Sequence, residues 1–372
     1  MRILVVNAGS SSLKLSVLDS SDRSLAAETI DAPVGRLDDS ALRTAVSANA
    51  PIDAVGHRIV HGGTEFTGPV LIDARVRRRL EALTDLAPLH QPKSLRGLEL
   101  VTRLLPQTPA VACFDTAFHA HIPAAASTYA LPPQWRLRWD LRRFGFHGLS
   151  HAYASRRAAE LTGRDLQELR IVTCHLGAGA SLAAVQGGVS VDTTMGFTPL
   201  EGLVMATRSG SIDPGLLLWL EEHVGMPPSE LATTLEHRSG LLGICGSSDM
   251  RVILQAEQDG DENAALAIGV YLHRLRAGIA GMTAAMGGLD TLVFTGGVGE
   301  HATAIRARAA EGLGFLGIAL DPAANEGAAG DREIGAEGAP VRALVVEARE
   351  DVEIARGVRQ VLGAAGGGPE PR

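Results

Sequence analysis

The sequence predicts an α/β protein built from two related domains, and three features carry that reading. Short β-branched runs recur at 2–6, 13–18, 54–60, 110–114, 170–174, 181–185, 291–295 and 341–346, most ending in Gly, Ser, Asn or His, as buried strands feeding turns do. Helical patterns lie among them at 75–84, 94–105, 150–161, 213–223, 263–286 and 303–312, so strands and helices are interspersed along the whole chain. The third feature is an internal echo. Val5-Val6-Asn7-Ala8-Gly9-Ser10-Ser11-Ser12-Leu13 reads as strand, small-residue turn, strand, and Thr173-Cys174-His175-Leu176-Gly177-Ala178-Gly179-Ala180-Ser181-Leu182 has the same shape. Such a pair is either a duplicated domain offering backbone N–H groups to one anionic ligand or two unrelated glycine-rich β-turns. The tail, 340–363, reads as a strand and then a helix with no composition break, so it could cross back onto the first domain.

Composition sets the outer limits. Hydrophobic residues make up 45% of the 372 and charged residues 20%, enough for a sizeable core and too apolar for a disordered chain. At roughly 100–200 residues per domain the length suits two domains. Lys+Arg of 34 against Asp+Glu of 42 gives a net charge of −8 and no basic stripe, which argues against a nucleic-acid partner. Cys113, Cys174 and Cys245 lie far apart without a CxxC pair, against a disulfide framework or zinc ribbon. The opening apolar run is too short for a signal peptide, and no stretch of about 18 apolar residues appears, so a soluble, cytoplasmic protein without a membrane partner is expected.

Taken in chain order, the polar clusters at strand ends suggest chemistry. The turn from Asn7 to Lys14 gathers three hydroxyls, an amide and an ammonium, suited to a polyphosphate. It is no P-loop, because GxxxxGK(S/T) is absent and a strand follows; the bland alternative is a solvated serine turn. In Gly56-His57-Arg58-Ile59-Val60-His61, strand alternation sends Arg58 and Val60 to one face. A guanidinium beside an apolar side chain suits a small carboxylate with a short alkyl tail, although a surface ion pair is the commoner fate of an arginine. Asp115 follows the apolar run ending at Phe114, where a carboxylate can orient an arginine, hold a metal-bound water, act as a base, or merely cap a turn. His147 and His151 stand four apart, but the Glu of HExxH is missing, so an imidazole beside Phe146 aiding developing charge is preferred to zinc. Arg208 sits in a Gly/Ser loop ahead of Asp213 and Pro214, a cap and first-turn pair. From Gly297 to Ala302 the chain matches GxGxxA, with Asp321 about 20 residues on, the fingerprint of a dinucleotide site and hence of an NAD-dependent oxidoreductase. Against that, few residues remain after Asp321 to complete a parallel sheet, and both hairpins stay unexplained. The same glycines equally let a nucleotide base lie over flat backbone.

VVNAGSSSLKLSV, HRIVHGG, FDTAFH, FGFHGLSH, CHLGAGASLAAV, TMGFTPLEGLVMATRSGSIDPG and FTGGVGEHA occur in an order and spacing that resembles the acetate kinase family over nearly the whole chain. The resemblance implies duplicated ribonuclease H-like βββαβαβα domains of the actin-like ATPase superfamily with an interdomain cleft. The first domain would take 1–119 with 351–372; the second, 120–350, would bind nucleotide and dimerise. It implies a homodimer that uses Mg²⁺, with Mn²⁺ the substitute, and converts acetate and ATP to acetyl phosphate and ADP. By matching positions, Asn7, Ser10, Ser12 and Lys14 would form the first phosphate turn, and His175, Leu176, Gly177, Ala178 and Gly179 the second. Arg58 and Arg208 would hold the carboxylate and the transferring phosphoryl, Asp115 would position the acyl substrate, and His147 and His175 would lie near the phosphoryl in flight. Val60, Leu89, Phe146 and Pro199 would receive the methyl group. Asp249, Met250, Arg251, Gly296, Gly297, Val298, Gly299 and His301 would bind adenosine, and Asn7 with Glu350 the metal.

Phosphoryl transfer has a loose transition state with charge on three equatorial oxygens, so two arginines and an imidazole suffice and direct in-line attack by the carboxylate is expected. The chain departs from the family at Ala178 and His301, each where Asn is usual, at Gln91 for the Asn after Leu-His, and at Val252 for an acidic residue. The missing donor at Ala178 costs roughly 1–3 kcal/mol if nothing replaces it, which bears on nucleotide preference more than on reaction type. Propionate or another short carboxylate is the nearest alternative acceptor, since one methylene discriminates by only about 1–3 kcal/mol. The NAD-dependent oxidoreductase and a non-catalytic actin-like nucleotide sensor are the remoter readings. The favoured one expects Arg58, Arg208 and an imidazole to converge on one cleft.

Overall fold

Ile3, Leu4, Val5 and Val6 are all buried, so neither face of this segment meets water and it forms the inner strand β1 (Ile3–Ala8). The computed structural model describes residues 1–8, 12–31, 39–84, 91–327 and 330–366. The chain divides into two units, the first of Met1–Ala120, Phe146–Tyr153 and Arg349–Arg372. Its sheet adds β2 (Ser12–Leu18), β3 (Ser24–Asp31), β4 (Ala54–Ile59), β5 (Val70–Leu71) and β6 (Ala110–Phe114), in the order β3-β2-β1-β4-β6-β5. β1 to β3 are antiparallel, β4 runs parallel to β1 and β6 parallel to β4, and the short β5 closes the edge antiparallel to β6.

Alternation sorts β1 onto two cores. Leu4 and Val6 pack with Leu42 and Val46 of the helix Asp39–Ala48 and with Leu100 and Val101 of the helix Gln91–Leu104. Ile3 and Val5 face Leu149 and, from the helix Glu350–Gly366, Ile354, Ala355 and Val358. Each such side chain, fully buried, is worth about 1.5–3 kcal/mol. Gly56 is required on β4 because a Cβ there would run into Ile354 and Val358, and so the C-terminal helix can approach the sheet.

The second unit is His121–Gly145 with Ala154–Ala348. Its sheet holds β7 (Arg170–Leu176), β8 (Ala180–Gln186), β9 (Val189–Thr193), β10 (Thr291–Thr295), β11 (Arg332–Glu333) and β12 (Arg342–Val345), in the order β11-β12-β10-β7-β8-β9. Read from the other edge, this repeats the first sheet: an antiparallel meander, two further parallel strands, and a two-residue antiparallel edge. The hairpins β1–β2 and β7–β8 occupy equivalent places, which decides for duplication over two unrelated turns. The long helix Glu262–Ala285 packs closely enough on β8 that Gly278 faces the Leu182 side chain.

The structure differs from the sequence reading in several places. Phe146–Tyr153 groups with the first unit, where Gly148 N donates to Asp115 O (2.8 Å) and Leu149 joins the core, whereas the sequence division left 120–350 whole. Strand β4 stops at Ile59, so Val60 lies beyond the alternation that paired it with Arg58. The helix anticipated at 213–223 is Pro214–Trp219 followed by a π-turn, Leu220–Val224. Among the described residues no helix is long and apolar enough to cross a membrane.

Candidate active site

In the first unit the carboxyl ends of three strands and one helix N-terminus bring four polar side chains together. Arg58, from the end of β4, donates through Nε to Asp115 Oδ1 (2.9 Å) and through Nη2 to Oδ2 (2.6 Å). Its Nη1 donates to Asn7 Oδ1 (3.0 Å) and lies 3.6 Å from Glu350 Oε2. Asn7 Nδ2 donates to the same Glu350 oxygen (2.8 Å), tying β1 to the start of the C-terminal helix. Asp115 is 1% exposed and directly follows β6. Burial works against the charged Arg58, but Asp115 and Glu350 more than offset it and raise the guanidinium above its ordinary value. Burial, with Glu350 adding to it, pushes the Asp115 carboxyl up, while Arg58 pulls it down; the two-point pairing is that of a carboxylate. Three of the five guanidinium N–H groups are committed, leaving two for a ligand among the described residues.

Phe146 and His147 are adjacent in sequence but differ in setting. Phe146 is fully buried, its carbonyl held by His119 Nε2 (3.1 Å) and its ring edge-on to His61 at 5.5 Å. His147 is half-buried with φ of 56°, in the left-handed region that few residues other than glycine occupy. Its neighbour Gly148 has no room for a Cβ against the Asp115 carbonyl. His151, four residues on, is buried against His119 at 5.6 Å, so the two histidines do not make a metal pair on one helix face. Lys14 lies across from Asn7 in the β1–β2 register and is exposed. Ser10 and Leu89 lie outside the described residues, as does the side chain of Ser12.

In the second unit Arg208 is half-buried, donating from Nη1 to Pro199 O (3.2 Å) and toward Met205 Sδ (3.8 Å). Burial lowers its guanidinium, with Glu236 opposing, and among the described residues no carboxylate lies within ion-pair distance of it. Such a cation is poised for an anion. The turn after His175 and Leu176 is closed by Gly177 N donating to Gly179 O (2.9 Å), and Ala206 N donates to Ala178 O (3.2 Å), joining that turn to the Arg208 segment. Ala178 is exposed.

The glycine run after β10 is braced from inside. Gly296 N and Ala348 N both donate to Glu300 Oε1 (2.9 and 3.0 Å), and the fully buried Arg306 grips Gly299 O, Glu300 O and Asn325. Burial, with Arg332 adding to it, lowers Arg306 to about 10. Gly297 and Val298 lie in the short helix Gly296–His301, and His301 is largely exposed. Asp249 caps the helix Met250–Gln258 by accepting from Arg251 N (2.9 Å) and pairs with the Arg251 side chain, which holds its carboxyl down at about 2. The oxidoreductase reading fails here: Asp321 caps the helix Pro322–Glu326, accepting from Ala324 N, and is not at a strand end. Sequence reasoning also missed Tyr129, Arg143, Glu201 and Arg306; the local hints are the Arg142-Arg143 pair ahead of Phe144 and the place of Glu201 inside the TMGFTPLEGLVMATRSGSIDPG motif.

The family model described as the acetokinase family matches residues 33–356. The chain belongs to the acetokinase family. An acetate kinase of Gloeobacter violaceus is 46% identical over 398 aligned residues, spanning 96% of this chain and 98% of its own. The crystal structure of Porphyromonas gingivalis acetate kinase superposes with a TM-score of 0.89 at 36% identity, covering 97% of this chain and 99% of that one. A propionate kinase from Francisella tularensis gives 0.89 at 35% identity over the same shares. Each six-stranded sheet is accordingly one copy of the duplicated domain of the actin-like ATPase superfamily.

Proposed function

We propose that this acetokinase-family chain transfers the γ-phosphoryl group of ATP to acetate, reversibly, giving acetyl phosphate and ADP. A carboxylate oxygen attacks phosphorus in line, and the bond to the β–γ bridging oxygen breaks with its electron pair leaving on ADP. The observation that carries the residue assignment is Arg208, a desolvated guanidinium held by a carbonyl and not neutralised by a carboxylate. Arg208 stabilises the equatorial oxygens of the phosphoryl group, which carry the charge in a loose transition state. Arg58 offers its two uncommitted N–H groups to the acceptor carboxylate, and Asp115 holds it in place. His147 and His175 donate to phosphoryl oxygens. Val60, Leu89, Phe146 and Pro199 receive the methyl group.

Asn7, Ser10, Ser12 and Lys14 serve one phosphate turn, and His175, Leu176, Gly177, Ala178 and Gly179 the other. Asp249, Met250, Arg251, Gly296, Gly297, Val298, Gly299 and His301 hold adenosine. Mg²⁺, with Mn²⁺ as substitute, neutralises charge on the phosphates. The donor set fits it: Glu350 and Asn7 supply hard oxygens, a carboxylate and an amide carbonyl joined by the Asn7 Nδ2–Glu350 Oε2 hydrogen bond. Mg²⁺ ordinarily takes one or two carboxylates, with water and phosphate completing its shell. A homodimer is supported by Leu216, Leu218, Trp219 and Val224, exposed together on the second unit. ATP as donor and the absence of a basic stripe support a cytoplasmic enzyme without a nucleic-acid or membrane partner.

The test is trapping of acyl phosphate as hydroxamate with ATP, Mg²⁺ and acetate, propionate or butyrate. Acetate should lead, chelation should abolish turnover, and Arg208→Ala should lower kcat by roughly 10²–10³-fold with the fold intact. No hydroxamate with any acceptor would leave the nucleotide-sensor reading standing instead.

A further inference from the structure

Five hydrogen bonds run between residues 129–145 and four consecutive residues of the second unit, Thr194 to Phe197. Arg143 Nη1 donates to Thr194 O (3.1 Å) and Met195 O (3.0 Å), and Phe144 N and Gly145 N donate to Gly196 O (3.0 and 3.3 Å). The fifth runs from Phe197 N to the Tyr129 hydroxyl (2.8 Å). The outer ends of this brace meet at one carboxylate: Tyr129 donates its hydroxyl proton to Glu201 Oε2 (2.6 Å), and Arg143 Nη2 donates to Glu201 Oε1 (2.7 Å). Gly196 must lack a side chain because the Glu201 carboxylate and Tyr129 hydroxyl fill the space a Cβ would take. Two residues past Phe197 stands Pro199, whose carbonyl holds Arg208.

We infer that Tyr129, Glu201 and Arg143 are positioning residues that set acceptor size: they hold Pro199 and its tether to Arg208 so that acetate is favoured over longer carboxylates. This rests on the reading of Arg208 as the cation at the transferring phosphoryl and of Pro199 as a wall of the acceptor pocket. The chemistry argues for more than fold maintenance. A phenol accepting from a backbone N–H while donating to a carboxylate, itself locked by a guanidinium, leaves little freedom to the loop it grips. A wall fixed in this way is what discrimination against one methylene requires, since a yielding wall would accommodate it.

Tyr129→Phe tests the inference, removing one hydroxyl and leaving the ring. The propionate-to-acetate ratio of kcat/KM should rise roughly five- to tenfold with KM for ATP unchanged, and the melting midpoint should fall, because the hydroxyl takes two hydrogen bonds with it. Glu201→Gln, which keeps one acceptor oxygen, should move the ratio less but in the same direction, and it serves if Tyr129→Phe does not fold. An unchanged ratio in either folded variant, or equal losses for both acceptors together with a raised KM for ATP, overturns the inference. Arg208→Ala measured alongside separates two failures. Normal turnover in it overturns the functional reading and this inference together, whereas an inactive Arg208→Ala beside an unmoved Tyr129→Phe ratio overturns this inference alone.

Discussion

Replacing Asp115 with Asn isolates the charge at the centre of the first unit's cluster while nearly preserving volume. The Asp115 side chain is 2% exposed and that of Arg58 15%, so the guanidinium would be left in a poorly solvated place without its two-point partner. Breaking a buried pair from one side costs about 3–5 kcal/mol. Glu350 remains at 3.6 Å from Arg58 Nη1, an attraction of gross size about 4–5 kcal/mol at an effective dielectric near 20, and Asn7 keeps its hydrogen bond. The expected loss is therefore at the low end, about 3 kcal/mol. In the double variant with Glu350→Gln the compensation disappears, so the two changes together should exceed their sum by more than about 1 kcal/mol. Urea unfolding at pH 7 of the wild type, both single variants and the double variant closes the cycle. A single-variant loss below about 1 kcal/mol with additive effects would refute the reasoning, because the guanidinium would then be solvated well enough to need neither carboxylate.

His57 and His119 are each held down at about 4 by burial, with the Phe146 carbonyl opposing at His119. Unfolded histidine titrates near 6.5, so between roughly pH 6.5 and 4 the unfolded chain binds protons that the native chain does not, and stability present at neutral pH is lost on acidification. The loss should be about 2 kcal/mol per histidine by pH 5, read from denaturation midpoints. His57→Leu should halve that slope and cost little at pH 7, since Nε2 of His57 has no hydrogen-bond partner among the described residues. Persistence of the full slope would show that His57 is not the responsible group. Gly148→Ala should destabilise by about 1–3 kcal/mol and raise KM for acetate, because its methyl meets the Asp115 carbonyl, backbone that cannot swing aside. A variant with native melting and native KM would contradict the packing.

What could be read in advance follows the range over which each residue's physics acts. Strands β1, β4, β6, β7 and β10 were legible because burial on both faces leaves continuous apolar runs, and Arg58 and Asp115 stood out as charges at the ends of such runs. The helices at 94–105 and 263–286 were legible for the same local reason, a repeated apolar spacing. The edge strands β5 and β11, two residues each, carry no periodicity at all and exist only because a neighbour supplies their hydrogen bonds. The helix Pro133–Trp139 escaped because it spans only seven residues, and Trp135 and Trp139 on one face are too short a repeat to mark it. The brace around Gly196 escaped for a deeper reason: Glu201 is 58 residues from Arg143 and 72 from Tyr129, and each looks locally like an ordinary solvated polar residue. Motif order identified the family, because a family's motifs preserve the ends of strands where ligand groups must stand. It carried Glu201 inside a motif without marking its role and left out Tyr129 and Arg143, because their partners are set by the tertiary fold and leave no spacing in the chain. The testable asymmetry is that substitutions at Arg58 and Arg208 should abolish turnover, while substitutions at Tyr129 and Glu201 should change which acceptor is turned over.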